Sequence, residues 1–157
     1  MSNLLTTENP VFVTYALCVT ILSLKMSLIA WHTVYHMVVS GGKGVRNPED
    51  LLEGPCNPKP HPDDLKPYPP AERQRRMMGH DLENNVPFFA VGLIYVLIQA
   101  GPQWPLYSYT GTKVFHHLVY LTEQRHELRA TVWTVTNSAF LYMSYLVLRV
   151  LLAEKGE

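Results

Sequence analysis

The part of the chain best equipped for chemistry is the segment of residues 72–89, ERQRRMMGHDLENNVPFF, which leads directly into an apolar stretch. If the segment is helical, residues three and four apart lie on one face. Ionisable residues at the mouth of an apolar helix usually face a bundle interior or a water-filled cavity and mark a functional site. We therefore predict a binding or catalytic site that includes His80, Asp81, Glu83 and Asn84. For the three arginines of the segment alone, a basic collar at the membrane surface is an equal alternative. The residues that share one face are Arg73, Arg76, His80, Glu83 and Pro87.

Two more groups of polar residues recur at helical spacing later in the chain. If the three groups meet, they line a polar chamber with apolar walls. Cations in this chamber would bind the carboxylates of an anionic ligand, and Glu83 would bind an ammonium group. Because lipid lies beside the chamber, a second ligand is expected to be apolar. The two later groups are Lys113, His116 and Tyr120, followed by Arg129, Trp133 and Asn137.

The elements that would position these residues are four long helices. The net charge is zero and the mean hydropathy is −0.01, but hydrophobic residues are concentrated in runs and charges in the segments between them. About 20 apolar residues are enough to cross a hydrocarbon core of roughly 30 Å. We predict one all-α domain, a four-transmembrane-helix bundle. Its predicted spans are residues 11–39, 72–100, 104–122 and 128–153, with a loop at residues 40–71.

The lysine and arginine residues of the connections predict the orientation of this bundle. Residues 41–76 contain seven of them and residues 123–129 contain two, whereas residues 101–111 and 1–10 contain none. Because cytosolic loops carry an excess of positive charge, the first and third connections are predicted to face the cytosol, with both termini on the other side. The three polar groups would then meet at the cytosolic side.

Three local features carry predictions of their own. Lys25 interrupts the first apolar stretch, so it needs a carboxylate or carbonyl partner unless it extends to the interface. The sequence NPED at residues 47–50 has the N-cap, proline and acidic first turn of a short helix, and the proline-rich remainder of the loop is predicted to be ordered but not helical throughout. Residues 101–111 are predicted to form a tight turn with an aromatic belt at the membrane surface. The aromatic residues of this belt are Trp104, Tyr107 and Tyr109.

These motifs resemble those of the family of membrane-associated proteins in eicosanoid and glutathione metabolism. The resemblance covers most of the chain, namely LSLKM at residues 22–26, NPED, the segment of residues 72–89 with its GLIYVL continuation, and HHLVYLTEQRHELRATVW at residues 116–133. Family members with a similarly long first loop include glutathione transferases and glutathione-dependent prostaglandin E synthases. The resemblance implies a homotrimer with glutathione bound at subunit interfaces near the cytosolic face. The predicted membrane is that of the endoplasmic reticulum, with a bacterial inner membrane as the alternative.

The resemblance also assigns roles to individual residues. Arg129 matches the family arginine beside the glutathione sulfur, and Asp50 matches the acidic residue of NPED that is implicated in activity. The implied catalytic residues are Arg129, Tyr120 and Asp50. The implied glutathione-binding residues are Arg76, His80, Glu83, Lys113, His116, Tyr120, Arg129 and Trp133, and no metal site is implied.

Four positions depart from the family pattern. His80 stands where an asparagine is common, and Gly79 stands where the prostaglandin synthases have a basic residue. Ala130 and Trp133 stand where these synthases have a serine and a tyrosine. A hydroxyl group beside the sulfur is one proposed thiol activator, so its absence weakens the isomerase hypothesis. The transferase reaction does not depend on that hydroxyl group.

The leading prediction is a membrane-bound glutathione transferase, with glutathione peroxidase activity as a second reaction. A thiol of pKa about 8.5 is mostly protonated at neutral pH, and the thiolate is the nucleophile. Arginine stays charged, so Arg129 can stabilise the thiolate without itself titrating. The thiolate would attack a hydrophobic electrophile or a lipid hydroperoxide that has partitioned into the bilayer. Glutathione is then the co-substrate.

Other functions fit the sequence less well. A prostaglandin E synthase is the first alternative, and a scaffold that presents lipids to other enzymes is the second. A scaffold does not need Arg129 and Glu83. Nothing in the sequence indicates nucleic-acid binding. A metal-transport function is disfavoured because the histidines fall on different helices and faces with no carboxylate or cysteine to complete a site. These histidines are His32, His36, His116, His117 and His126.

Overall fold

The computed structural model describes residues 4–153, which form four α-helices and two short 3-10 helices with no β-strand between them. The all-α, four-helix prediction is confirmed, and each helix ends within three residues of its predicted limits. The α-helices are α1 Pro10–Val39, α2 Pro69–Leu97, α3 Trp104–Leu121 and α4 His126–Ala153. The 3-10 helices are Pro48–Leu51, at the NPED motif, and Pro62–Leu65.

The helices α1 and α4 are long and apolar enough to cross a membrane, by length and composition. The helix α1 has the inverted pattern of a membrane helix, since its buried stripe includes Thr14, Cys18 and Lys25, whereas large apolar residues such as Leu28 and Trp31 are exposed. Exposed apolar surface of this extent marks contact with lipid or with another protein. The helices α2 and α3 do not meet this criterion of length and composition, so it stays a prediction that they cross the membrane.

The chain divides into two compact units. Of the described residues, the first comprises 4–24 and 83–153; we call it the α3–α4 unit. The second is Lys25–Leu82, which we call the loop unit. The core of the α3–α4 unit is aromatic and aliphatic, and in it the rings of Phe88 and Tyr109 stack with centroids 4.0 Å apart.

The connection between α2 and α3 is shorter than the predicted turn of residues 101–111. The helix α3 already begins at Trp104, because a proline in the first helical turn is compatible with helix formation. Tyr95 donates a hydrogen bond to the carbonyl of Pro102 at 2.8 Å, and a Cβ atom at Gly101 would lie 2.6 Å from the Tyr95 hydroxyl oxygen. Tyr109 is only 2% exposed and belongs to the hydrophobic core, so the prediction that it lies in a surface belt was wrong. Trp104 and Tyr107 are exposed, as a surface belt requires.

The loop unit contains an ordered connection, as its proline content indicated. Arg75 of α2 donates to the carbonyl oxygen of Gly44 at 2.8 Å and also forms an ion pair with Glu72. The amide of Gly44 donates to the carbonyl oxygen of Asp64 at 2.8 Å. Gly44 has φ +80°, and a Cβ atom there would lie 2.7 Å from the Cβ atom of Tyr68. The start of α2 and the loop are thus joined by Arg75, which gives this arginine a structural role.

Candidate active site at the α3–α4 turn

The short turn between α3 and α4 brings Tyr120 and Arg129 together. Tyr120 is in the last turn of α3, and Arg129 is in the first turn of α4. The Arg129 guanidinium carbon lies 5.0 Å from the centroid of the Tyr120 ring, which is within the range of a cation–π contact. Glu123, with φ +58°, helps to reverse the chain between them. Two residues that the sequence assigned to catalysis are therefore in contact.

The guanidinium group of Arg129 retains capacity to bind an anion. Its Nε atom is buried, and no residue in the range 4–153 accepts a hydrogen bond from it. Within the same range, Arg129 forms no ion pair with a carboxylate. A buried charged donor without an acceptor is unfavourable unless a ligand supplies one. Arg129 is therefore the strongest candidate in the α3–α4 unit for binding a thiolate or a carboxylate.

One face of α3 carries the polar residues that the sequence grouped by spacing. Lys113, His116 and Tyr120 are all buried, with exposed fractions of 1%, 6% and 7%. The rings of His116 and Tyr120 have centroids 6.0 Å apart. Tyr109 lies one turn before Lys113 on the same face, and its hydroxyl group donates to the Asn85 side-chain oxygen at 3.2 Å. The spacing of four residues between Tyr109 and Lys113 was the signal that could have placed Tyr109 in this group.

Glu83 and Asn137 line one small cavity of about 60 Å³ in the α3–α4 unit. The indole nitrogen of Trp133 donates to the side-chain oxygen of Asn84, 3.2 Å away. This hydrogen bond joins α2 to α4 directly beside Glu83. Trp133 is 40% exposed, so its ring also presents apolar surface outward. The other residues that line the cavity are Asn84, Pro87, Tyr109 and Phe140.

The remaining predicted site residues belong to the loop unit. Arg76 and His80 are exposed on α2. Asp50 is exposed, and its carboxylate accepts hydrogen bonds from the backbone amide and the side-chain amide of Asn47, at 3.4 and 3.3 Å. The pairing of Asn47 with Asp50 closes the first turn of the 3-10 helix, as the NPED pattern predicted. Asp50 therefore has a local structural role that the sequence-based assignment to catalysis did not include.

Among residues 4–153, no three histidine, cysteine, aspartate or glutamate residues are grouped so that they could hold a metal ion. The rings of His32 and His36 are neighbours on α1, with centroids 4.5 Å apart. This pair alone does not make a metal site.

The chain is all-α in its described part, has two helices apolar enough to cross a membrane, and places the partly exposed Arg129 over the buried Tyr120 ring at a helix turn. The model of the MAPEG family matches residues 15–149. The chain belongs to the MAPEG family, and the family resemblance of its motifs is confirmed.

Individual relatives are similar over nearly the whole chain. Microsomal glutathione S-transferase 1 of Homo sapiens is 30% identical over 148 residues, and that of Bos taurus is 31% identical over 150 residues; both alignments cover 90% of this chain and 92% of the relative. Prostaglandin E synthase of Homo sapiens is 28% identical over 133 residues, or 82% of each chain. Both activities considered from the sequence are thus represented among the relatives.

Proposed function

We propose that this protein is a membrane-bound glutathione transferase in which Arg129 stabilises the glutathione thiolate. The observation that supports this function best is the buried Arg129 Nε atom, which has no acceptor among the described residues. A fixed positive charge favours the thiolate over the thiol and so lowers the pKa of the glutathione thiol group. The ring of Tyr120 holds the guanidinium group from one side and leaves its donors for the sulfur.

In the proposed reaction, the thiolate attacks an apolar electrophile from the bilayer. With an aryl chloride, a carbon–sulfur bond forms and chloride leaves with the electron pair of the carbon–chlorine bond. With a lipid hydroperoxide, the thiolate attacks the terminal oxygen and releases an alcohol, and a second glutathione then reduces the resulting sulfenate, with release of water and glutathione disulfide. The positive charge of Arg129 is useful in both reactions because the attacking group is the same.

The other predicted site residues are proposed to hold the tripeptide. Glu83 would bind its ammonium group, and Arg76 and Lys113 would bind its carboxylates. His80, His116 and Trp133 are proposed as further contacts. The outward direction of Arg76 and His80 supports a homotrimer in which a neighbouring subunit completes the site. We propose that the site faces the cytosol from the endoplasmic reticulum membrane.

A glutathione-dependent prostaglandin E synthase is the second candidate, supported by the similarity to prostaglandin E synthase over 82% of the chain. Ala130 and Trp133 argue against it, since Ala130 offers no hydroxyl group beside the Arg129 guanidinium. If the protein converts a prostaglandin endoperoxide to the E-type product faster than it conjugates an aryl chloride, the prostaglandin E synthase becomes the first candidate.

The decisive experiment titrates the detergent-purified protein with glutathione and records the ultraviolet difference absorbance of the thiolate. We expect a thiolate band in the wild type and in Arg149→Ala, and no band in Arg129→Ala. Arg149 is the matched control because it is an exposed arginine on the same helix. A full thiolate band in Arg129→Ala would contradict the proposed mechanism, and the absence of glutathione binding to the wild type would contradict the proposed function.

The same variants are then assayed for conjugation of 1-chloro-2,4-dinitrobenzene. We expect Arg129→Ala to lose about 100- to 1000-fold in kcat/KM, as is typical when one fixed electrostatic stabiliser is removed. Arg149→Ala is expected to stay within about twofold of the wild type, since exposed charges far from a site contribute little.

A further inference from the structure

A buried ion pair joins α1 to α2 inside the loop unit. The Nζ atom of Lys25 lies 2.9 Å from Oδ1 and 2.7 Å from Oδ2 of Asp81, so one ammonium group engages both carboxylate oxygens. Lys25 is 7% exposed and Asp81 is 1% exposed. The predicted carboxylate partner of Lys25 is therefore present. Neither residue has a role in the proposed reaction, because neither is available to a ligand.

Asp81 lies on a different side of α2 from the outward-facing residues Arg76 and His80. At 3.6 residues per turn, His80 lies about 100° and Arg76 about 140° around the helix axis from Asp81. Both are exposed, whereas Asp81 faces α1. A contact that holds Asp81 toward α1 therefore also holds Arg76 and His80 away from it.

The remaining buried residues in this part of α2 define its rotation weakly. The stripe that shares a side with Asp81 consists of Ala71, Gln74 and Met77, all buried. Among them only Met77 is a large apolar residue, and the buried Gln74 Oε1 atom has no hydrogen-bond partner in residues 4–153. Burial of apolar area contributes to stability in proportion to that area, so this stripe has little to distinguish one rotation of the helix from another. Beside the hydrogen bond from Arg75 to the Gly44 carbonyl oxygen at the start of α2, the ion pair is the directional contact in this part of the helix.

Stability alone does not account for a buried ion pair. Replacement of such a pair by apolar residues of similar volume is often neutral or stabilising, because the desolvation of two charges offsets their attraction. Charged groups in an apolar span are unfavourable where they have no task. Unlike an apolar pair, the ion pair fixes one geometry between α1 and α2.

We propose that the Lys25–Asp81 ion pair is a positioning device that fixes the rotation of α2 about its axis, so that Arg76 and His80 face outward to bind glutathione. This inference rests on the proposed function for its effect on glutathione, but not for the rotation itself. Lys25 and Asp81 are positioning residues: they act through α2 and touch neither glutathione nor the reacting atoms.

The first test replaces the pair by apolar residues of similar size in the double variant Lys25→Met with Asp81→Leu, assayed with glutathione and 1-chloro-2,4-dinitrobenzene. We expect the KM for glutathione to rise about tenfold, while kcat and the KM for the aryl chloride stay within about twofold, since Arg129 belongs to the other unit. A merely structural role would lower the amount of active protein and leave both KM values unchanged. A KM for glutathione within twofold of the wild type would overturn the proposal.

The exchanged pair, Lys25→Asp with Asp81→Lys, is the control that keeps the contact and reverses its direction. We expect it to restore the KM for glutathione to within about threefold of the wild type, because either order of charges ties the same two positions. If the apolar double variant fails to fold, the exchanged pair still tests the positioning role. A tenfold increase in the KM of the exchanged pair, in folded protein, would count against positioning by the ion pair.

The second test measures the rotation of α2 without glutathione. In a Cys56→Ser background, which leaves only the buried Cys18, a reporter cysteine is introduced by Met77→Cys or by Gly79→Cys and labelled with a maleimide. Met77 lies about 40° from Asp81 around the helix, and Gly79 lies about 160° from it. A Cβ atom at Gly79 meets nothing within 4 Å, whereas Met77 is 1% exposed.

With the ion pair intact, we expect the cysteine at position 79 to react and the one at position 77 to be protected. In the apolar double variant, we expect the ratio of the two labelling rates to fall at least fivefold. An unchanged ratio would overturn the proposal even if glutathione binds normally. A changed ratio in a protein that does not bind glutathione would refute the proposed function and leave the fixed rotation of α2 intact.

Discussion

Lys25 of α1 and Arg129 of α4 are both cations on apolar helices, and their surroundings differ. In the loop unit, the ammonium group of Lys25 is within 2.9 Å of both oxygens of Asp81. In the α3–α4 unit, the guanidinium group of Arg129 lies over the Tyr120 ring, and its buried Nε atom has no acceptor among residues 4–153. The charge of Lys25 is neutralised by a carboxylate of the same chain, whereas Arg129 retains a hydrogen-bond donor for a ligand. This difference agrees with the positioning role proposed for Lys25 and with the catalytic role proposed for Arg129.

The contrast predicts opposite effects of the same substitution at the two sites. Lys25→Ala leaves Asp81 buried without its partner, so we expect the free energy of unfolding to fall by about 3–5 kcal/mol. Arg129→Ala leaves no buried carboxylate unpaired, and we expect it to lose only about 1 kcal/mol from the contact with Tyr120. Detergent- or heat-induced unfolding, followed by circular dichroism, measures both. Equal losses of stability at the two sites would remove the distinction between an organising and a reactive cation.

The cation–π contact can be separated from the Tyr120 hydroxyl group by two substitutions. Tyr120→Phe keeps the ring under the Arg129 guanidinium, so we expect kcat/KM within about twofold of the wild type. Tyr120→Leu removes the ring, and we expect a loss of about threefold to thirtyfold, equivalent to roughly 0.5–2 kcal/mol. If Tyr120→Phe instead loses as much as Tyr120→Leu, the hydroxyl group itself acts on the sulfur, as the family resemblance allows.

The smallest effect is expected at Asp50, which the resemblance assigned to catalysis. Asp50→Asn retains an oxygen that can accept the hydrogen bond from the Asn47 backbone amide, and we expect kcat/KM within about twofold of the wild type. Asp50→Ala removes the acceptor and is expected to cost about 1 kcal/mol of stability, the usual effect of losing a helix cap. A tenfold loss of kcat in Asp50→Asn at unchanged stability would return Asp50 to the catalytic group.

Much of the fold followed from local patterns in the sequence. The four helices were predictable because each has a long run of helix-compatible residues, bounded by glycine or proline segments or, between α3 and α4, by a charged turn. The 3-10 helix Pro48–Leu51 was predictable because NPED has a cap, a proline and an acidic first turn. The face of α3 was predictable because its polar residues recur every three or four positions. All of these are properties of neighbours along the chain.

The prediction for Tyr109 was wrong because it, too, used only the residue types of neighbours along the chain. Aromatic residues after Gly101 and Pro102 have the composition of a membrane-surface belt, and composition alone does not show which way a ring points. The ring of Tyr109 stacks on Phe88, 21 positions earlier in the chain, and that contact exists only after α2 and α3 have packed together. Trp104 stacks instead on Tyr142, which is itself 40% exposed, and both Trp104 and Tyr107 are exposed.

The sequence by itself determined the helices, the presence of a lysine that needed a carboxylate, and the family, because these depend on residue types and short spacings. Only the tertiary structure decided that Asp81 is the partner of Lys25, 56 positions away, and that Arg75 donates a hydrogen bond to the loop carbonyl of Gly44. It also decided that Arg129 keeps a donor without an acceptor. The physical reason is that pairing between charges depends on distances between helices, and helical periodicity does not specify which helices become neighbours or how each is rotated.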